Sequence, residues 1–151
     1  MFMGEFNHSI DAKGRMIMPA KIREQLGDKC IITMGLDDCL FVYDEEKWNS
    51  IVTTLNKQPT TKASIRALKR MIFGKATESE FDGQGRVLIP TTLRQHAGLD
   101  KKSVVVGAGD HVEIWSQEKW NTYMGDVGPK VEELVETIED LEIGRASCRE
   151  R

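Results

Sequence analysis

Apolar positions in this chain first alternate in short runs broken by Asp and Gly, then recur at helical spacing, and the whole series is repeated. Phe6 to Ile10 and Arg15 to Met18 have strand-type content and are joined by Asp11-Ala12-Lys13-Gly14. A short loop that opens with Asp and ends with Gly suits a type I turn closed by a left-handed Gly. The Asp carboxylate can accept the turn's backbone N–H groups. Pro19 to Gly27 predicts a two-turn helix, because Pro is tolerated at the first helical position and Gly suits the exit. Ile22 and Leu26, four apart, share its inner face. So short a helix must pack on neighbouring strands to persist. Cys30 to Met34 and Cys39 to Tyr43, around Gly35-Leu36-Asp37-Asp38, predict a second hairpin.

The second series keeps register with the first. Asp82-Gly83-Gln84-Gly85-Arg86, Pro90, Arg94 and Gly98 answer Asp11 to Arg15, Pro19, Arg23 and Gly27 at a constant offset of 71 positions. One residue enters after Gly98, so Gly107 and Lys119-Trp120 answer Gly35 and Lys47-Trp48 at 72. Leu93 and Ala97 replace Ile22 and Leu26 inside the short helix, and Ser103 to Val106 and His111 to Trp115 form the last hairpin around Gly107-Ala108-Gly109-Asp110. A fixed offset over this length is an internal repeat. Each copy reads strand, turn, strand, short helix, strand, turn, strand.

Helical spacing governs the rest. Asp44 is placed to cap a helix whose apolar residues Trp48, Ile51, Val52 and Leu55 step i, i+3, i+4, i+7. A second helix runs from about Lys62 to Phe73, with Ile65, Leu68 and Ile72 on one side and Lys62, Arg66, Lys69 and Arg70 on the other. After the second copy, Glu118 to Met124 opens a further helix, and Pro129 another with Val131, Leu134, Val135, Ile138 and Leu141 as its apolar face. The expected organisation is thus a first repeat over 1–48, a helical linker with a basic stripe over 49–76, a second repeat over 77–120 and an acidic C-terminal helix over 121–142.

Composition narrows the class. The 151 residues are 40% hydrophobic and 30% charged, the balance of an ordinary folded protein with a core. No apolar run approaches the roughly 18 residues that span a bilayer, and the first residues lack the basic start and apolar stretch of a signal peptide. No membrane and a cytoplasmic address are expected. Cys30, Cys39 and Cys148 form no C-x-x-C pair, and Cys30 and Cys39 lie in strand-like runs, so reduced, buried thiols are expected. His8, His96 and His111 show no ligand spacing, so neither a metal nor another cofactor is expected.

The net charge of −3 conceals segregation. Leu55 to Thr77 holds six basic residues and no acidic one; Val131 to Glu142 holds six acidic residues and no basic one. Residues 143–151, Ile-Gly-Arg-Ala-Ser-Cys-Arg-Glu-Arg, break abruptly with the acidic pattern, and their back-translation resembles a sequencing-adapter sequence. They are expected to be a non-native tail and are set aside from fold reasoning. Without their three basic residues and one acid, the charge moves from −3 to −5.

Two copies of hairpin, Pro-started mini-helix and hairpin, each bearing Asp-x-x-x-Arg, resemble the MraZ family, the tandem-repeat branch of the AbrB-like fold. The resemblance covers about Met1 to Leu141. It implies an α+β fold in which two AbrB-like β-hairpin repeats form a pseudo-twofold swapped-hairpin β-barrel with flanking helices. It also implies a bacterial transcriptional regulator, cytoplasmic and nucleoid-associated, that binds repeated boxes of double-stranded promoter DNA at the division and cell-wall gene cluster. The implied assembly is a homo-oligomeric ring, commonly octameric. Carried onto this sequence, the DNA-binding positions are Lys13, Arg15, Gln84 and Arg86, with Asp11, Gly14, Asp82 and Gly85 supporting the turns. Lys13 is answered by Gln84, a departure between the two loops.

Blander readings stand beside these. Each Arg could simply pair with the Asp four residues before it, although exposed pairs contribute below about 1 kcal/mol. A guanidinium at a hairpin base can instead reach phosphate or grip guanine with two donors. Lys21 suits a solvated face, whereas Arg23 and Arg94 recur in register and suggest a shared structural partner, a carboxylate or a helix-end carbonyl. The stripe on the linker helix suits solvent, phosphate or the acidic helix of a neighbouring subunit. Trp48 and Trp120 suit packing. An enzyme is not expected, because no nucleophile–base pair, phosphate-binding Gly-rich loop or metal spacing is present and no small-molecule substrate is implied. A non-DNA-binding scaffold or antitoxin-like interaction module of the same fold is the alternative.

Overall fold

Strands in this chain pair between the two copies as much as within them. The computed structural model describes Met1 to Ile138. Strands β1 (Phe2–Ser9), β2 (Arg15–Ile17), β3 (Lys29–Met34) and β4 (Leu40–Tyr43) belong to the first copy, with helix α1 (Ala20–Leu26) between β2 and β3. Helices α2 (Glu45–Asn56) and α3 (Ala63–Ile72) follow. The second copy supplies β5 (Thr77–Glu80), β6 (Arg86–Leu88), α4 (Thr91–Ala97), β7 (Lys102–Gly109) and β8 (Val112–Ser116).

The loop after β1 does turn the chain, yet its arms bridge only at Ile10 and Met16 before they part. β1 then pairs along its whole length with β7, from Phe2 opposite Gly109 to Ser9 opposite Lys102. Its counterpart β5 pairs with β3, and β2 pairs with β6 in a separate ribbon. These are swapped hairpins. The large antiparallel sheet runs β1-β7-β8-β4-β3-β5, an order that maps onto its own reverse when the copies are exchanged. The pseudo-twofold axis passes between Met16 and Val87 in the ribbon and between Phe41 and Glu113 in the sheet, since each pair joins equivalent positions.

Long-range pairing moves several boundaries away from those expected. β1 begins at Phe2, not Phe6, because β7 offers a partner along all of it. β7 runs on through Gly107-Ala108-Gly109, which local residue types assign to a turn. Gly107 is needed for a close approach, since a Cβ there would overlap the backbone of Met3. The turn shifts to Asp110-His111, closed by the Ala108 N–H donating to the His111 carbonyl at 2.9 Å. Pro19 and Pro90 stand one residue before their helices rather than at the first helical position.

The core is shared. Met16, Met18, Ile22 and Leu26 from the first copy meet Val87, Ile89, Leu93 and Ala97 from the second, under Ile32, Leu40, Val42, Val105, Val112 and Ile114 of the sheet. Equivalent positions fill equivalent sites, so neither copy closes a core alone. Cys30 and Cys39 are buried free thiols, and burial pushes the Cys30 thiol up to about 12, which keeps it protonated and unreactive. Cys148, Leu141 and the segment 143–151 lie outside the described residues.

Asp44 caps α2 as its sequence suggests, accepting the Lys47 N–H at 2.7 Å. Trp48 packs between Tyr43 and Phe73, with ring centroids 6.0 and 5.7 Å away. The Thr33 hydroxyl donates to the Ile72 carbonyl at 2.7 Å, tying the end of α3 to β3. These elements form one compact unit, Met1–Gln117. A second unit starts at Glu118. It holds most of α5 (Gln117–Val127), a 3₁₀ turn over Gly128–Lys130 that contains Pro129, and α6 (Val131–Thr137). Val131, Leu134 and Ile138 are exposed. Among the described residues no helix is long and apolar enough to cross a membrane.

Candidate nucleic-acid interface

Both Asp-x-x-x-Arg loops are built alike. In the first, Asp11 Oδ1 accepts the Lys13 and Arg15 N–H groups, each at 2.9 Å, and the Gly14 N–H closes the turn onto the Asp11 carbonyl at 3.0 Å. In the second, Asp82 Oδ1 accepts from Gln84 and Arg86 at 2.9 Å, and Gly85 closes onto Asp82 at 2.9 Å. Gly14 and Gly85 have φ of 85° and 75°, the region that disfavours any side chain. Each carboxyl is held below its ordinary value, first by the backbone N–H of its Arg, against a burial effect that raises it, and then by the guanidinium.

The second carboxylate oxygen orients the arginine. Arg15 Nε donates to Asp11 Oδ2 at 2.8 Å and Arg86 Nε to Asp82 Oδ2 at 2.7 Å. Arg86 Nη1 also lies 3.9 Å from Asp11 Oδ2, so the heads of the two arginines approach one carboxylate across the axis. Because the aspartate takes Nε, the Nη groups remain to donate to a partner that offers two acceptors, Arg86 Nη1 lying no nearer than 3.9 Å to Asp11 Oδ2. Lys13 and Gln84 are exposed at the loop tips.

Strand alternation adds two residues that motif reading does not single out. In β2, Arg15 and Ile17 share the outer face while Met16 is buried; in β6, Arg86 and Leu88 do so around Val87. Register sets Arg15 opposite Leu88 and Ile17 opposite Arg86. Ile17 is 46% and Leu88 53% exposed, so the ribbon presents aliphatic carbon opposite each arginine. The signal was in the sequence as a period-two pattern over Arg15 to Ile17, but the pairing of β2 with β6 was needed to give it meaning.

Arg23 and Arg94 do find a common kind of partner. Nη1 of each donates at 2.9 Å to a carbonyl five residues earlier, Met18 and Ile89, just before the helix starts. In the linker, Arg66 Nη1 donates to the Thr60 and Thr61 carbonyls at 3.0 Å, so part of the basic stripe holds its own helix start. Among the described residues no group of three or more His, Cys, Asp or Glu is placed to hold a metal ion.

Two hairpin copies fused in one chain, interleaved about a pseudo-twofold axis and each presenting an Asp-x-x-x-Arg loop, define a tandem AbrB-like protein. A family model described as "MraZ protein, putative antitoxin-like" matches residues 1–71 and again 72–129, and the chain belongs to that family. It is 52% identical over 141 residues to the transcriptional regulator MraZ of Desulforamulus reducens, covering 93% of this chain and 99% of the relative. It is 48% identical over 143 residues to that of Ligilactobacillus salivarius, covering 95% and 100%. It is 49% identical over 141 residues to that of Carboxydothermus hydrogenoformans, covering 93% and 99%. The family is thus one of transcriptional regulators, not enzymes.

Proposed function

We propose that this chain regulates transcription by binding double-stranded promoter DNA sequence-specifically through its two Asp-x-x-x-Arg loops. The observation that carries the reading is the outer face of the β2–β6 ribbon, where Arg15 and Arg86 stand with Nε held by aspartate and Leu88 and Ile17 stand opposite them. A two-stranded ribbon fits the DNA major groove, a two-donor guanidinium edge matches guanine O6 and N7, and aliphatic carbon suits the thymine methyl. Lys13 and Gln84 lie at the loop tips, where Lys13 suits phosphate and Gln84 suits a phosphate or an adenine edge. Asp11, Gly14, Asp82 and Gly85 set the loops.

On this reading the copies over 1–48 and 77–120 form the reading head, 49–76 the linker and 121–142 a helix for self-association, with 143–151 foreign to the protein. Copies of the chain assemble into a ring, octameric on the family resemblance, and engage repeated boxes at the division and cell-wall promoter. The protein is then cytoplasmic and nucleoid-associated. The description of the matching family as antitoxin-like favours one second reading, in which the same face binds a protein partner.

The deciding measurement is electrophoretic mobility shift on the DNA upstream of the protein's own gene. Wild type should shift it, and Arg15→Ala/Arg86→Ala should not, while retaining wild-type circular dichroism and mass. A folded, assembled double variant that still binds normally defeats the reading. A wild type that leaves this DNA unshifted favours the protein-partner alternative.

A further inference from the structure

Each loop rests on an arginine from the opposite copy. The Arg94 guanidinium, in the second copy, lies beneath the first loop: Nη1 donates to the Ile89 carbonyl at 2.9 Å and reaches the Lys13 carbonyl at 3.4 Å, while Nη2 donates to Thr91 Oγ1 at 3.0 Å. A Cβ added to Gly14 would overlap Nη1 and stand 2.5 Å from Cζ. Arg23 of the first copy occupies the same place beneath the second loop: its Nη1 donates to the Met18 carbonyl at 2.9 Å, and its Cζ would stand 2.6 Å from a Cβ on Gly85. The backbone crosses over in the same sense, with Ile89 N–H donating to the Gly14 carbonyl at 2.9 Å and Met18 N–H to the Gly85 carbonyl at 3.1 Å. Gly14 and Gly85 are therefore glycine for a second reason besides their φ. The space a side chain would take is filled by a guanidinium.

We propose that Arg23 and Arg94 are positioning residues that act across the pseudo-twofold axis, Arg94 setting the loop of Lys13 and Arg15 and Arg23 setting the loop of Gln84 and Arg86. As a role in DNA recognition this rests on the function proposed above. The brace itself does not. Its physical content is that a charged, half-buried group fills the space beneath each turn, and that Arg94 also donates to the Lys13 carbonyl beside the reading side chain of its loop. Bonds to charged donors are stronger than neutral ones, and the planar fork reaches two acceptors at once. One consequence is that neither copy presents its loop unaided, so the reading head is one unit made of two.

The test has an arm without DNA. In the free protein, Arg94→Ala should speed amide hydrogen exchange about tenfold or more at Lys13 to Arg15, the scale of one lost charge-assisted bond, and leave Gln84 to Arg86 unchanged. Arg23→Ala should give the reverse pattern. Gly14→Ala, which displaces Arg94 without removing it, should reproduce the Arg94→Ala pattern, and Arg94→Lys should recover only part of the protection. With upstream DNA, Arg94→Ala should weaken binding without altering the slope of log affinity against log salt. Combined with Arg15→Ala it should add little further loss, whereas combined with Arg86→Ala the losses should multiply. Faster exchange confined to each arginine's own copy, or spread evenly, overturns the brace. A slope flattened by about 0.9 makes Arg94 a phosphate contact and overturns its positioning role. A wild type that shows the exchange pattern but no affinity for the DNA overturns the DNA reading and leaves the brace standing.

Discussion

His111 shows how much a single residue's chemistry depends on neighbours that local pattern does not announce. Its Nδ1 lies 2.8 Å from Asp110 and its Nε2 2.9 Å from Glu113, with the ring centroid of Phe41, tilted by 60°, 4.6 Å away and that of Tyr43 at 5.9 Å. Lys47 pairs with the same Asp110, and Trp115 Nε1 donates to Glu113. Both ring nitrogens can donate to their carboxylates at once only in the imidazolium, which has two N–H groups. The Glu113 bond raises the His111 pKa most, burial opposes it, and Asp110 adds to the rise. A raised folded pKa means stability that is full below the unfolded value of about 6.5 and is lost as pH rises through the folded one. The stability that urea unfolding reports for wild type should therefore fall as pH rises from about 6.5 through that window, and His111→Gln should flatten the slope; parallel curves would refute the link. Asp110, held down to about 2 by His111 first and Lys47 next, releases its own contribution only in strong acid. The sequence showed His111 as an isolated histidine without ligand spacing. Asp11, Gly14, Asp82 and Gly85 were legible because their chemistry is local, closed within five residues. Arg23 and Arg94 were recognisable as structural by their register, but their reach into the opposite loop depends on contacts some 60 to 80 positions apart and left no local trace.

At the scale of elements, period and punctuation identified the strands and short helices of the two copies except β5, which only the repeat implied, and tertiary pairing then decided their lengths. β1 and β7 are longer than their residue types suggest because each supplies the other with a ladder, and Gly107, a turn former by composition, serves there as a strand residue beside Met3. The mini-helices obey packing in a more exacting way. Neither α1 nor α4 has a side-chain N-cap bond, so each is held chiefly by its two buried residues, Ile22 and Leu26 or Leu93 and Ala97. Leu93→Ala should accordingly cost about 2–5 kcal/mol, the range for a buried leucine truncated in a core that closes only partly. Since the core draws on both copies, the loss should appear as one cooperative transition. Fluorescence and far-ultraviolet dichroism should give the same lowered urea midpoint. Separate transitions for the two halves would mean that the copies are independent domains, contrary to the swapped strands.

For the whole molecule, charge sets the terms on which the proposed DNA reading can work. A chain with a formal charge of −3 gains little from general attraction to phosphate, so the two arginines of one copy pair have to be multiplied by assembly. Several weak sites held at fixed spacing act at high effective concentration, provided that the DNA presents its boxes on one face. The exposed Val131, Leu134 and Ile138 of the second unit offer apolar area for self-association. Light scattering should then report a mass several times 17.1 kDa at micromolar concentration. Boxes read together by one assembly should recur at about one helical turn, roughly 10 bp, so that each meets a ribbon from the same side. Inserting half a turn, about 5 bp, between two boxes rotates one to the far face and should reduce affinity towards that of a single box; inserting a full turn should restore much of it. The comparison isolates geometry, because both probes carry the same boxes and nearly the same charge. Equal affinity for the half-turn and full-turn probes would show that the boxes are bound singly, and an assembly that reads them together would have to be abandoned.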